Sequence, residues 1–174
     1  ISQEEFENWI KGAYWGDRIF YRGQDTEYDF EWEGRKNSNF VNFAFDKNTA
    51  SMFGSNIEEF YLNCKKPFDF NKKEDFDRLL KSVGEINNID TMHEESDPIV
   101  LHSYEEYKNL DNKMYDFGNN WEFSEKYTFE IMNLGYDSLV MTEGGDKTVM
   151  TFNKNQIHKV SDIMDDEMIN ESIK

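Results

Sequence analysis

Short, strongly patterned segments alternate along the chain with longer polar ones. Ser2 precedes a stretch, 4–13, in which Phe6, Trp9 and Ile10 recur at helical spacing, with Glu5 three residues after the serine. This predicts a short, capped amphipathic helix packed beneath a first strand at 18–22. Residues 25–39 are polar, acidic and aromatic, include Gly34, and read as a long loop. "FVNFAF" (40–45) opens with alternation and predicts a second strand. Asp46 then stands where it can cap a short helix, "KNTASMFG", that Gly54 stops.

"IEEFYLNCKKPFDF" (57–70) reads as a further strand, with Pro67 marking its edge or exit. Phe76, Leu79 and Leu80 share one face of a helix predicted over 74–83. Residues 84–99 are acidic and weakly patterned, which predicts a mobile excursion. From 101 to 134 the pattern is mostly helical, broken around "FGNN" (117–120). Its last part, 121–134, places Phe129, Ile131 and Leu134 at apolar positions before Gly135. "GYDSLVM" (135–141) predicts a buried strand, "TEGGD" a turn, and "KTVMTFN" the returning strand of a hairpin. "NQIHKV" (155–160) closes the sheet, and 161–174 reads as a terminal amphipathic helix. No repeat and no Gly- or Pro-rich linker divides the chain. The expected organisation is one α+β domain over 1–174.

Composition sharpens this picture. At 174 residues the chain can bury one core without crosslinks. With 37% hydrophobic but 16% aromatic residues, that core is expected to be built from Phe, Tyr and Trp. Cys64 is the single cysteine, so no intrachain disulfide forms; it reads as a buried structural thiol, and a reducing cytoplasm is the simplest compartment. No apolar run approaches the roughly 20 residues of a membrane span. No basic-then-apolar signal segment opens the chain, and a first residue of Ile implies a removed initiator or tag.

The net charge is −17, from 36 acidic and 19 basic side chains. Such a surface repels nucleic-acid phosphates, which disfavours direct binding of DNA or RNA. It fits a basic protein partner, imitation of nucleic acid, or simple solubilisation. His93, His102 and His158 are scattered without ligand spacing, so no metal site is expected. Gly144-Gly145 opens no helix, which excludes a phosphate-binding glycine loop there, and no Gly-x-Ser-x-Gly elbow is present.

The order of parts carries more information than any one of them. Phe6 and Trp9 precede Tyr21-Arg22-Gly23; Ala50 lies in the short helix; Tyr61-Leu62 is followed by Pro67. Gly135-Tyr136-Asp137 and Phe152 with Gln156-Ile157 complete the set. This order resembles the ADP-ribosyltransferase fold, in particular phage-encoded members, including the domains of phage polyvalent proteins and an anti-CRISPR transferase. The resemblance covers about 3–72 and 134–160, with 73–133 standing as a family-specific helical part. It implies two packed, mainly antiparallel sheets with flanking helices, NAD as substrate, and transfer of ADP-ribose to a host protein in the host cytoplasm.

The chemistry of that reaction sets requirements of its own. Breaking the bond from ribose to nicotinamide develops oxocarbenium character, which a carboxylate near the ribose stabilises. A carboxylate also aligns the incoming nucleophile. An arginine grips ribose or pyrophosphate with a fixed fork of donors, a glycine lets backbone approach the nicotinamide amide, and an aromatic ring stacks on the nicotinamide.

The resemblance assigns these roles in turn. Arg22 takes the first family position, where His or Arg is found. Tyr21, Gly23 and Gln24 join it around the nicotinamide end. The second position, often Tyr or Ser-Thr-Ser, offers Phe43 or Phe45 here, a ring without a hydroxyl, and Phe43 fits the spacing to Ala50 better. At the third, where polyvalent-type domains place Glu, this chain has Thr148. The alignment with the anti-CRISPR transferase instead selects Glu143 as catalytic carboxylate, with Asp146 as runner-up. Two rivals use the same features: an acidic, non-catalytic inhibitor that mimics nucleic acid, and an NAD glycohydrolase with water as acceptor.

Overall fold

The computed structural model describes residues 1–25, 39–89, 98–110 and 120–164. Most of the predicted 25–39 loop, the centre of the 84–99 excursion, the "FGN" break and most of the terminal helix lie outside the described residues. The chain is α+β, and it divides into two compact units, Ile1–Lys65 with Thr151–Lys174, and Lys66–Met150.

The first unit begins with α1 (Gln3–Ile10). Ser2 Oγ accepts the Glu5 amide at 3.1 Å and Glu5 Oε1 accepts the Ser2 amide at 3.2 Å, the capping box expected from the spacing. The helix ends three residues earlier than the pattern predicts, and the chain turns at Gly12 with φ 81°. It leads into β1 (Ile19–Gln24), then β2 (Val41–Ala44), α2 (Lys47–Ser51), β3 (Asn56–Leu62) and, from the far end of the chain, β9 (Ile157–Lys159). Within this unit the strand order is β2-β1-β3-β9, all antiparallel. Asp46 caps α2 as predicted, accepting the Thr49 amide at 2.7 Å.

Strand alternation sorts the side chains of this unit onto two faces. Ile19, Tyr21 and Gly23 point to one face, together with Tyr61 and His158, which sit opposite each other across β3 and β9. Helix α1 covers part of it, with Phe6 4.5 Å from Tyr61 and Trp9 4.4 Å from His158 between ring centroids. The other face carries Phe20, Phe60 and Leu62, all fully buried. Phe20 meets Phe45 at 5.0 Å and Phe43 meets Phe60 at 5.0 Å, both edge to face. The core is aromatic, as composition implied. Cys64 is buried and in no disulfide; it lies just beyond β3 rather than within it, and Gln156 Nε2 reaches its Sγ at 3.8 Å.

The second unit holds β4 (Pro67–Asp69), α3 (Lys73–Val83), β5 (Ile86–Asn87), β6 (Val100–Leu101), α4 (Tyr104–Lys108), α5 (Trp121–Lys126), α6 (Thr128–Asn133), β7 (Ser138–Glu143) and β8 (Asp146–Thr151), whose last residue belongs to the first unit. The segment read as one strand over 57–70 is two strands. Pro67 opens β4, an edge strand that runs parallel to β7 with Phe68 opposite Leu139. The predicted helix over 121–134 is likewise two, broken at Tyr127. In α6 the buried positions are Thr128 and Ile131, which leaves Phe129 66% exposed. Within 84–99, Ile86–Asn87 is a short strand rather than excursion: Ile86 pairs with Leu101 and Asn87 with Val100. Where the terminal helix was expected to start, Val160–Asp162 forms a single 3-10 turn.

Candidate functional site

The surroundings of Arg22 can be built up from β1. The strand is tied to β3 by six consecutive pairs from Ile19↔Tyr61 to Gln24↔Asn56 and to β2 at Tyr21↔Ala44. Its burial alternates, with Phe20, Arg22 and Gln24 buried. Arg22, 8% exposed, therefore lies on the aromatic face, where its guanidinium carbon is 5.8 Å from the Phe43 ring centroid. Its Nη1 donates to the Asn42 carbonyl at 2.9 Å. A charge this far from water needs such partners. Across β3, the residue paired with Arg22 is Glu58, whose carboxylate is 3.3 Å from Lys159 Nζ.

Tyr21 and Gly23 occupy the opposite face. Lys47 Nζ sits 5.8 Å from the Tyr21 ring centroid. A Cβ at Gly23 would lie 1.9 Å from the Ala50 carbonyl oxygen and 2.9 Å from that of Gly54, so this glycine admits α2 onto β1. Gly54 does the same from the other side: a Cβ there would be 2.1 Å from the Gln24 carbonyl carbon. The resemblance gives Gly23 a backbone approach to nicotinamide; what approaches it here is the backbone of α2 and of Gly54.

The two aromatic candidates separate. Phe43 is Arg22's neighbour, while Phe45 packs at the other end of β1 against Phe20 and Trp15, with the Arg18 guanidinium 4.9 Å from its centroid.

In the second unit, Glu143 ends β7, and Gly144 and Gly145 turn the chain with φ 59° and 87° before Asp146 opens β8. The Glu143 side chain lies outside the described part of the chain. Thr148 is half-buried within β8. What sequence reasoning missed is how the end of β7 is held. The Thr142 amide donates to Asn120 Oδ1 at 2.9 Å, and the Asn120 amide donates to the Thr142 carbonyl at 2.9 Å. Asn120 is itself held by Tyr107 and Asn71, whose Oδ1 accepts both the Tyr107 hydroxyl and Asn120 Nδ2. A buried network with each member bonded rigidifies what it touches. Its signal in the sequence was the second asparagine of "FGNN", read only as a helix break.

A second polar cluster surrounds Tyr136. Its hydroxyl donates to Asp75 Oδ1 at 2.8 Å and accepts from Arg78 at 3.0 Å, while Asp75 Oδ2 accepts the Asp69 amide at 2.9 Å. Burial, then the bond to Asp75, pushes the phenol up to about 12. Among the described residues, no group of three or more His, Cys, Asp or Glu is placed to hold a metal ion. His158 stacks edge-on to Trp9 and is held below its ordinary pKa by burial and then by the amino-terminal charge; His93 lies outside the described residues. No helix among the described residues is long and apolar enough to cross a membrane.

No protein-family model matches the chain, and no curated protein matches it either. One solved structure, described as the crystal structure of an anti-CRISPR protein, aligns with 82% of this chain and 94% of its own at 15% identity and a TM-score of 0.43. A likeness of that degree fixes neither a fold family nor an activity.

Proposed function

We propose that the chain is an NAD-dependent mono-ADP-ribosyltransferase with an ADP-ribosyltransferase-like fold, acting on a host protein. The observation that carries the reading is Arg22: a permanently charged side chain on the buried aromatic face of β1, anchored by the Asn42 carbonyl and flanked by Phe43. A cation beside an aromatic ring suits a ligand that joins a flat heterocycle to a ribose and phosphates. Glu143, at the end of a strand clamped by Asn120, is the carboxylate of this proposal.

In the reaction, the bond between ribose C1′ and the nicotinamide ring nitrogen breaks, and its electron pair leaves with neutral nicotinamide. A nucleophilic atom of the target bonds to C1′ and gives up its proton. The reaction asks for a carboxylate that stabilises the cationic ribose and orients its hydroxyls, the role the resemblance gives Glu143, and for a cation that holds ribose or pyrophosphate oxygens, the role it gives Arg22. Labelled NAD incubated with the chain and host lysate is expected to label a discrete protein, and Glu143→Gln to lower that labelling at least about 100-fold. Undiminished labelling by the variant removes Glu143 from this role. Nicotinamide release at full rate without any labelled protein assigns the same site to NAD hydrolysis.

The net charge of −17 favours a second reading, an acidic scaffold that occupies the nucleic-acid site of a basic protein without chemistry. It requires no NAD, which separates it from the first.

A further inference from the structure

Gln24 stands apart from every other polar side chain on β1. It is 6% exposed, on the same face as Arg22 and Phe20, and among the described residues neither its Nε2 nor its Oε1 meets a hydrogen-bond partner. A buried primary amide with both ends unmet is costly to keep, and a leucine of similar size would avoid that cost. Its backbone is nonetheless tightly fixed, paired with Asn56 on one side and closely approached by Gly54 on the other. A rigid, desolvated group that offers one donor and one acceptor side by side is what recognition of a matching edge requires. Arg22, two residues earlier on the same face, adds a fixed cation about 7 Å away along the strand.

We infer that Gln24 reads the carboxamide of a nicotinamide nucleotide, its Nε2–H donating to the carboxamide oxygen and its Oε1 accepting from the carboxamide N–H. This rests on the NAD reading and deepens it, because it makes a side chain responsible for choosing nicotinamide. A primary amide and a carboxamide pair through two antiparallel hydrogen bonds, and the neighbouring cation takes the ribose or phosphate oxygens of the same nucleotide. The adenine half of NAD also carries a donor–acceptor edge, so the test separates the two halves.

The experiment compares the chain with Gln24→Leu by thermal unfolding without ligand and by calorimetric titration with NAD, nicotinamide mononucleotide and ADP-ribose. The variant is expected to unfold at the same temperature or higher, since it removes an unmet amide. It should bind ADP-ribose as the parent does, and NAD and the mononucleotide roughly 10- to 100-fold more weakly. Equal NAD affinity in the two proteins overturns the assignment while leaving the NAD reading intact. Equal weakening toward ADP-ribose moves Gln24 to the other half of the nucleotide and also overturns it. A variant that melts far below the parent shows that the protein itself satisfies the amide, and the assignment fails on that ground too. Absence of binding to all three ligands by the parent chain removes the NAD reading and the assignment together.

Discussion

At the scale of single residues, the decisive positions are those where the backbone leaves no room. Gly23 is required by space, since an added methyl would sit 1.9 Å from the Ala50 carbonyl oxygen, and that atom belongs to the backbone of a packed helix. No rotamer change relieves such an overlap; α2 or β1 must move. Gly23→Ala is therefore expected to destabilise the chain by about 3 kcal/mol, read as a lower urea midpoint at unchanged slope. A change below about 0.5 kcal/mol would show that α2 is loosely seated. Arg22 and Gln24 flank this glycine on the opposite face, so a shift of β1 also displaces both. Any loss of NAD binding in the Gly23 variant then reports position as well as contact.

Elements differ in how plainly the sequence announces them. Helix α1 and the cap of α2 were legible because their signals are local: a serine with a glutamate three residues on, and an aspartate before a short run. The split of 57–70 into β3 and β4 was not. Both halves are aromatic and β-prone, and only the parallel pairing of Pro67–Asp69 with Ser138–Val140, far along the chain, makes the second half a separate strand. Of the candidate site, the strands that carry Arg22 and Phe43 were legible, but the burial of Arg22 beside Phe43 depends on how β1 and β2 pair, and the Asn120 clamp on Thr142 joins residues with no shared pattern. The Tyr136 cluster is equally invisible in sequence, and it makes a pH prediction. The folded chain keeps the Tyr136 proton to about 12, while an unfolded tyrosine releases it near 10. Over that interval the folded state binds more protons, so the contribution is complete below pH 10 and declines as pH rises toward 12. Tyr136→Phe is expected to lower stability by about 1–2 kcal/mol near pH 8, through loss of the bonds to Asp75 and Arg78. The difference from the parent in urea midpoint should shrink between pH 10 and 11.5. A difference independent of pH would mean that the phenol titrates alike in both states.

For the whole molecule, the net charge of −17 acts on stability and on encounter at once. Like charges repel across a folded surface over about 30 Å at 0.01 M salt but only about 8 Å at 0.15 M. Raising sodium chloride through that range is expected to raise the melting temperature by a few degrees, as roughly 1 kcal/mol of repulsion is screened. Were the target basic, as both readings propose, the same salt would weaken its attraction to this surface, and association would slow as the fold grows firmer. These opposite trends separate the two functional readings. A mimic inhibits only while bound, so its inhibition falls as salt rises and vanishes when the chain is removed. A transferase needs only an encounter long enough for one covalent event. Salt then slows the onset of inhibition, NAD is required, and the target stays impaired after the chain has been washed away. The expected result is the second pattern. Inhibition that develops fully without NAD and washes out in high salt would leave the acidic surface as the active principle and Arg22 as a structural cation.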